Sequence, residues 1–193
     1  MISLSKKLRS SWYRAKSLKA VEVDAISKID HRSPVVTLSS VPARIDSIGP
    51  TVYSLLKQKL KPKKIVINLG KDFFVDKKVP EFLLDLDIIR INFVEKDTGP
   101  ATKFLPTICS EPKDQVIVVV DDDMFYSDGL LDGLVSASEL DESSAFCVNG
   151  CRIKSNYLNA QCIICDTSIQ MNPITNKSKY LNQIFTTHIF NDS

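Results

Sequence analysis

The chain has 193 residues, 44% of them hydrophobic and 25% charged, with a formal net charge of +2; this is the profile of one soluble globular domain large enough to bury a sizeable core. No window approaches the roughly 18 consecutive apolar residues that a membrane-spanning helix needs. Lys6, Lys7, Arg9 and Arg14 interrupt any signal-peptide centre, so the expected location is cytoplasmic. Residues 1–20 hold six basic side chains and no acid, so the rest of the chain is net acidic, which argues against a nucleic-acid-binding body.

Residues 1–30 form a basic leader in which Leu4, Leu8, Trp12 and Ala15 recur at helical spacing. Two readings stand for it. Such a helix can lie against the anionic inner face of a membrane, each basic residue contributing about 1 kcal/mol, or it can be a solvated helix packed loosely on the domain. Next, Pro34 to Leu38 predicts a first strand, and Ile45, Ile48, Val52, Leu55 and Leu56 fall on one helical face. Pro50 is tolerable there only within a first turn.

Ile65-Val66-Ile67 predicts a second strand, followed by a short helix that starts at Pro80 with Phe82, Leu83 and Leu86 inward. A third strand is expected from Ile88 to Val94, then a loop, then one or two helical turns between Thr102 and Ile108. The run Val116 to Val120 is the most apolar in the chain, the pattern of a strand buried on both faces. Leu130, Leu131, Leu134 and Val135 predict a further helix, and Phe146 to Val148 a further strand. This alternation over residues 31–153 predicts an α/β domain of Rossmann-like type, a mostly parallel sheet with helices on both faces. Residues 154–193 are polar and weakly patterned, an incomplete or weakly ordered segment in which only Ile163-Ile164 and Ile184-Phe185 look apolar enough for a core.

Asp121, Asp122 and Asp123 stand directly after the apolar run, and therefore at the carboxyl end of its strand, the edge where open α/β sheets bind ligands. Three adjacent carboxylates repel one another unless a proton or a cation neutralises them. A hard ion such as Mg²⁺ or Mn²⁺ shared with substrate phosphates suits them. The plainer alternative is that they form a turn, with Ser127-Asp128 capping the next helix. The loop after the first strand brings Ser39, Ser40 and Arg44 to the same edge, and the loop after the third brings Asp97, Gly99, Thr102 and Lys103. Basic side chains facing a metal-binding carboxylate cluster fit a diphosphate held between them.

These segments carry a family resemblance. Thr37 to Arg44, Pro50 to Gln58 and Lys63 to Ile67 resemble the opening of a GT-A-fold glycosyltransferase. Asp97-Thr98-Gly99-Pro100-Ala101-Thr102-Lys103-Phe104-Leu105-Pro106, followed by Val118 to Asp123, is similar to the bacterial, family-2-like branch with an Asp-x-Asp site. The resemblance spans residues 35 to about 153. It implies a nucleotide-diphosphate sugar as donor, a glycan or other acceptor, and Mn²⁺ or Mg²⁺ as cofactor. Asp121 would hydrogen-bond the ribose or sugar and share the cation with Asp123, while Asp122 orients either group. Ser39 and Arg44 would border the nucleotide, and Lys103 would approach the base or phosphates.

Two departures limit it. The acidic turn that many relatives carry after the second strand is here Asn68-Leu69-Gly70-Lys71, leaving Asp97 as a substitute. After Asp123 there is no glycine-rich acceptor loop, and Asp166 and Asp192 have no motif around them, so no catalytic base is assigned. A catalytically incomplete sugar-nucleotide-binding domain is therefore the alternative function. A phosphate-accepting aspartate site is a third, opposed by a first strand that ends in Ser39-Ser40 rather than in acids. Cys147, Cys151, Cys162 and Cys165 have a spacing similar to zinc knuckles, but their apolar neighbours favour buried thiols.

Overall fold

In a computed structural model, which describes residues 2–3, 15–76, 78–141, 144–148 and 184–186, the β-branched runs form the centre of the molecule. We number the strands β1 (Ile2–Ser3), β2 (Val35–Ser39), β3 (Lys64–Gly70), β4 (Ile89–Val94), β5 (Ile117–Val119), β6 (Met124–Phe125) and β7 (Ile184–Thr186). The helices are α1 (Ala15–Ile26), α2 (Pro42–Ile45), α3 (Gly49–Leu56), α4 (Glu81–Leu84), α5 (Leu105–Ser110) and α6 (Leu130–Leu140), with a 3₁₀ turn over Gly99–Lys103. Five strands make one parallel sheet in the order β4-β3-β2-β5-β7, and β1 and β6 form a separate antiparallel pair.

Strand alternation sorts the side chains onto two faces. Val36 and Leu38 of β2, Ile65, Ile67 and Leu69 of β3, and Val118 of β5 share one face, where Leu18, Val52, Leu55, Leu83, Leu131 and Leu134 from four helices cover them. Most of these are fully buried, each contributing roughly 1.5–3 kcal/mol relative to exposure. Val35, Val66 and Ile117 occupy the opposite face and meet Ile108 of α5. The α/β class and the parallel sheet with helices are thus as expected from the sequence.

Several local expectations change. The helix expected from Ile45 to Leu56 is two helices: Pro50 has no N–H to continue a helix begun at Pro42, so it lies in the first turn of α3 instead. The leader is not a separate element where it is described. Leu18 and Ala25 of α1 lie in the main core, and buried Glu22 accepts a 2.7 Å hydrogen bond from the Ile88 N–H at the start of β4. Lys19 reinforces the join by donating to the Asp85 carbonyl at 2.9 Å and to Asp87 at 2.7 Å. Leu4, Leu8 and Trp12 lie outside the described residues. Part of the polar C-terminal segment contributes a strand, since Ile184–Thr186 lies in register beside β5. The run from Phe146 to Val148 is no full strand; pairing is confined to the isolated residues Ala145 and Cys147.

The order of strands fixes where a ligand-binding crevice can open. From β2 the chain moves outward to β3 and β4, then returns to place β5 on the other side of β2. The carboxyl ends of β2 and β5 are therefore the topological switch point, the place where the connections run in opposite directions and open α/β sheets bind their ligands. Ser39 and Ser40 end one of these strands and Asp121 follows the other.

Candidate functional site

Each of the three aspartates meets a different environment, although they are adjacent in sequence. Asp121 forms an ion pair with Lys103, Nζ to Oδ1 2.5 Å, both side chains being only about one-fifth exposed. Its backbone is held by Tyr126, whose hydroxyl accepts from the Asp121 N–H at 2.8 Å and donates to the Asp121 carbonyl at 3.2 Å. That buried phenol closes the turn that ends β5 and re-enters the chain as β6.

Asp122 points into the protein and is 5% exposed. Its Oδ2 accepts from the Ser40 hydroxyl at 2.6 Å and from Arg44 Nε at 3.0 Å, while its carbonyl accepts from Thr51 at 2.8 Å. Burial pushes its carboxyl above the ordinary carboxylate range, with the charge of Asp123 adding to the rise; the Ser40 bond and the Arg44 guanidinium oppose it. These bonds tie β5 across the switch point to the β2 loop, α2 and α3. Asp123 is exposed and, among the described residues, has no hydrogen-bond or salt-bridge partner.

The structure brings Arg44, Lys103, Asp121 and Asp122 together through direct contacts. Ser39 ends β2 half-buried, but the serine that touches the triplet is Ser40. Asp97 stands at the other end of the Lys103 loop, where its Oδ1 accepts from the Gly99 N–H at 2.6 Å. Gly99 adopts φ +68°, a left-handed conformation that glycine takes without a side-chain penalty. The turn after β3 does carry an acid: β3 runs to Gly70, and Asp72 follows it, accepting from the Asp97 N–H at 3.1 Å. A Cβ on Gly70 would lie 2.5 Å from Asp72 Oδ1 and 2.8 Å from Asp97 Cβ, so glycine is what allows the two loops to close. Neither Ser127 nor Asp128 caps α6, whose N-cap is Gly129.

Among the described residues no three His, Cys, Asp or Glu side chains converge as a ready metal cluster. The donor set still fits an ion of the Mg²⁺ or Mn²⁺ type shared with phosphates, because such ions are commonly held by one or two carboxylates and complete their shell from substrate and water. Asp123 is free to serve, and Asp121 can join it when Lys103 gives way. Asp122 is buried against Ser40 and Arg44, and its role is to anchor them. For the cysteines, Cys109 is exposed and Cys147 buried, both as free thiols, with burial pushing the Cys147 thiol up. Cys151, Cys162, Cys165, Asp166 and Asp192 lie outside the described residues.

The sequence pointed to the aspartates, Arg44, Lys103 and the Ser39–Ser40 loop, while Thr51, Asp72 and Tyr126 were missed as contacts of this edge. Among the described residues, no helix is long and apolar enough to cross a membrane. No protein-family model, curated protein or solved structure matches the chain.

Proposed function

We propose that this chain binds a nucleotide-diphosphate sugar at the switch point and transfers the sugar to a glycan or other acceptor, as a metal-dependent glycosyltransferase of the GT-A type. The observation that carries the reading is the division of labour among the aspartates: one buried anchor, one ion-paired carboxylate and one free carboxylate, on a ligand-binding edge that also presents Arg44 and Lys103. A diphosphate satisfies both signs of charge in that space. Arg44, half-exposed and fixed through Nε by Asp122, keeps its other guanidinium nitrogens for phosphate oxygens. Lys103 supplies a second positive charge from the facing loop.

Asp123 and Asp121 would hold Mn²⁺ or Mg²⁺, which when bound offsets the charge that develops on the departing nucleoside diphosphate. Asp97 and Ser39 border the base and ribose, and Asp72 adds an acid on that side. Calorimetric titration with UDP and GDP, with and without Mn²⁺, tests the reading. Binding that needs Mn²⁺ and is lost in Asp123→Ala is the expected result. Absence of metal-dependent binding, or equal binding by Asp123→Ala, would sink it. A donor-hydrolysis and transfer assay on the same protein separates an active enzyme from a binding domain.

A further inference from the structure

The face of the sheet turned toward α5 carries a polar network in a place where apolar side chains would fill the space. Val35, Val66, Ile117 and Ile108 line this face, yet Thr37, Asn68 and Thr107, all fully buried, interrupt it. Their hydrogen bonds form a chain with one consistent direction. Asn92 Nδ2 donates to Asn68 Oδ1 at 2.7 Å, and Asn68 Nδ2 donates to the hydroxyls of Thr37 and Thr107, each at 3.1 Å. Thr107 donates to Thr37 at 2.7 Å, which leaves the Thr37 proton for the Lys103 carbonyl, also at 2.7 Å. Every donor then has an acceptor, and the chain ends on the residue whose ammonium group holds Asp121.

Buried polar networks stabilise a fold little more than apolar side chains of the same shape, but when fully satisfied they fix one arrangement. We propose that Thr37, Asn68 and Thr107 are positioning residues for Lys103: they hold its backbone so that its ammonium reaches the carboxyl end of β5. The far end of the same loop is pinned separately, by the Thr98 N–H donating to Thr102 Oγ1 at 2.7 Å and by the Asp97–Gly99 turn. The lysine is thus set between two fixed points. What Lys103 serves when it is so placed rests on the donor-binding reading; its fixing does not.

The test is amine-reactive labelling of the intact protein, followed by peptide mass spectrometry, with Lys61 as an internal reporter of the fold. Lys61 is 7% exposed and lies far from this network in contacts, donating to the Leu56 carbonyl at 3.0 Å. Thr37→Val keeps the shape and removes the hydroxyl. Lys103 labelling is expected to accelerate about fivefold, the factor carried by one typical hydrogen bond. Thr37→Ser restores the wild-type rate, and Lys61 stays protected throughout. Thr107→Val, which removes a donor to Thr37 and an acceptor for Asn68 but leaves the Thr37–Lys103 bond, gives a smaller rise in the same direction, so the test does not depend on one variant folding. Wild-type labelling of Lys103 in both valine variants overturns the proposal. So does a joint rise of Lys61 and Lys103, because the network then holds the fold and not the lysine. A wild-type protein that binds no UDP or GDP with Mn²⁺ overturns the donor reading while leaving the labelling outcome to stand.

Discussion

Removing the Ser40 hydroxyl isolates the energetics of the buried aspartate. In the wild type that hydroxyl donates to Asp122 over 2.6 Å, with both residues at least nine-tenths buried. A hydrogen bond to a buried charge contributes about 1.5–3 kcal/mol, and the carboxylate it leaves behind has no water to replace it. Ser40→Ala is therefore expected to cost about 2 kcal/mol at neutral pH, or roughly 4–8 °C in Tm for a chain of this size. The penalty must shrink in acid. Because burial raises the folded pKa of Asp122 above its ordinary 3.8, the native state holds more protons than the unfolded state between those two values. Stability is then greatest below the lower value, falls as pH rises through the folded pKa, and is flat beyond it.

Ser40→Ala raises that folded pKa further, so its loss of stability on going from acid to neutral exceeds that of the wild type. Asp122→Asn removes the charge and with it this part of the slope, while its amide oxygen still accepts from Ser40. Thermal melts followed by circular dichroism between roughly pH 4 and 8 measure all three proteins. A Ser40→Ala penalty that is the same at every pH, or an Asp122→Asn protein that keeps the wild-type slope, would refute the assignment of Asp122 as a buried, burial-shifted anchor.

Leu55, fully buried on α3, is expected to cost about 2–5 kcal/mol as Leu55→Ala in urea unfolding. Gly70→Ala must push Asp72 and Asp97 apart and should cost about 1–3 kcal/mol, with amide exchange rising first over the Asp97–Lys103 loop. Asp123→Ala removes an exposed side chain without a partner among the described residues and should change unfolding free energy by less than about 0.5 kcal/mol, so that any loss of binding in it reports on the ligand and not on the fold.

Much of the sheet was legible because its signal is local. Five consecutive β-branched residues at 116–120, the apolar run at 35–38 and the alternating run at 88–94 each mark a strand on their own. Strand β3 is longer than its apolar run because Asn68, the polar residue that follows Ile67 in sequence, is buried in the Thr37–Thr107 network. The apolar run alone places the turn at Asn68–Lys71, whereas the strand continues to Gly70 and the acid of the turn is Asp72. Ser39 was preferred to Ser40 for a related reason: past the last residue of a strand the two-residue alternation no longer decides which side chain turns inward. The pairings of Ile2–Ser3 with β6 and of Ile184–Thr186 with β5 join segments far apart in sequence, and no pattern within either segment names its partner. The aspartates stood out, but their three separate roles came from Ser40, Arg44 and Lys103, which only the fold brings to them.

A thermal-shift screen of sugar nucleotides against the wild-type protein, with and without Mn²⁺, tests the donor-binding claim most directly. A ligand at 100 times its dissociation constant stabilises by about 2.7 kcal/mol, or roughly 5–11 °C in Tm here. The account predicts that at least one nucleotide class gives such a shift with Mn²⁺, that it vanishes without the metal, and that Asp123→Ala abolishes it. A melting temperature that no sugar nucleotide moves in the presence of Mn²⁺ would contradict it.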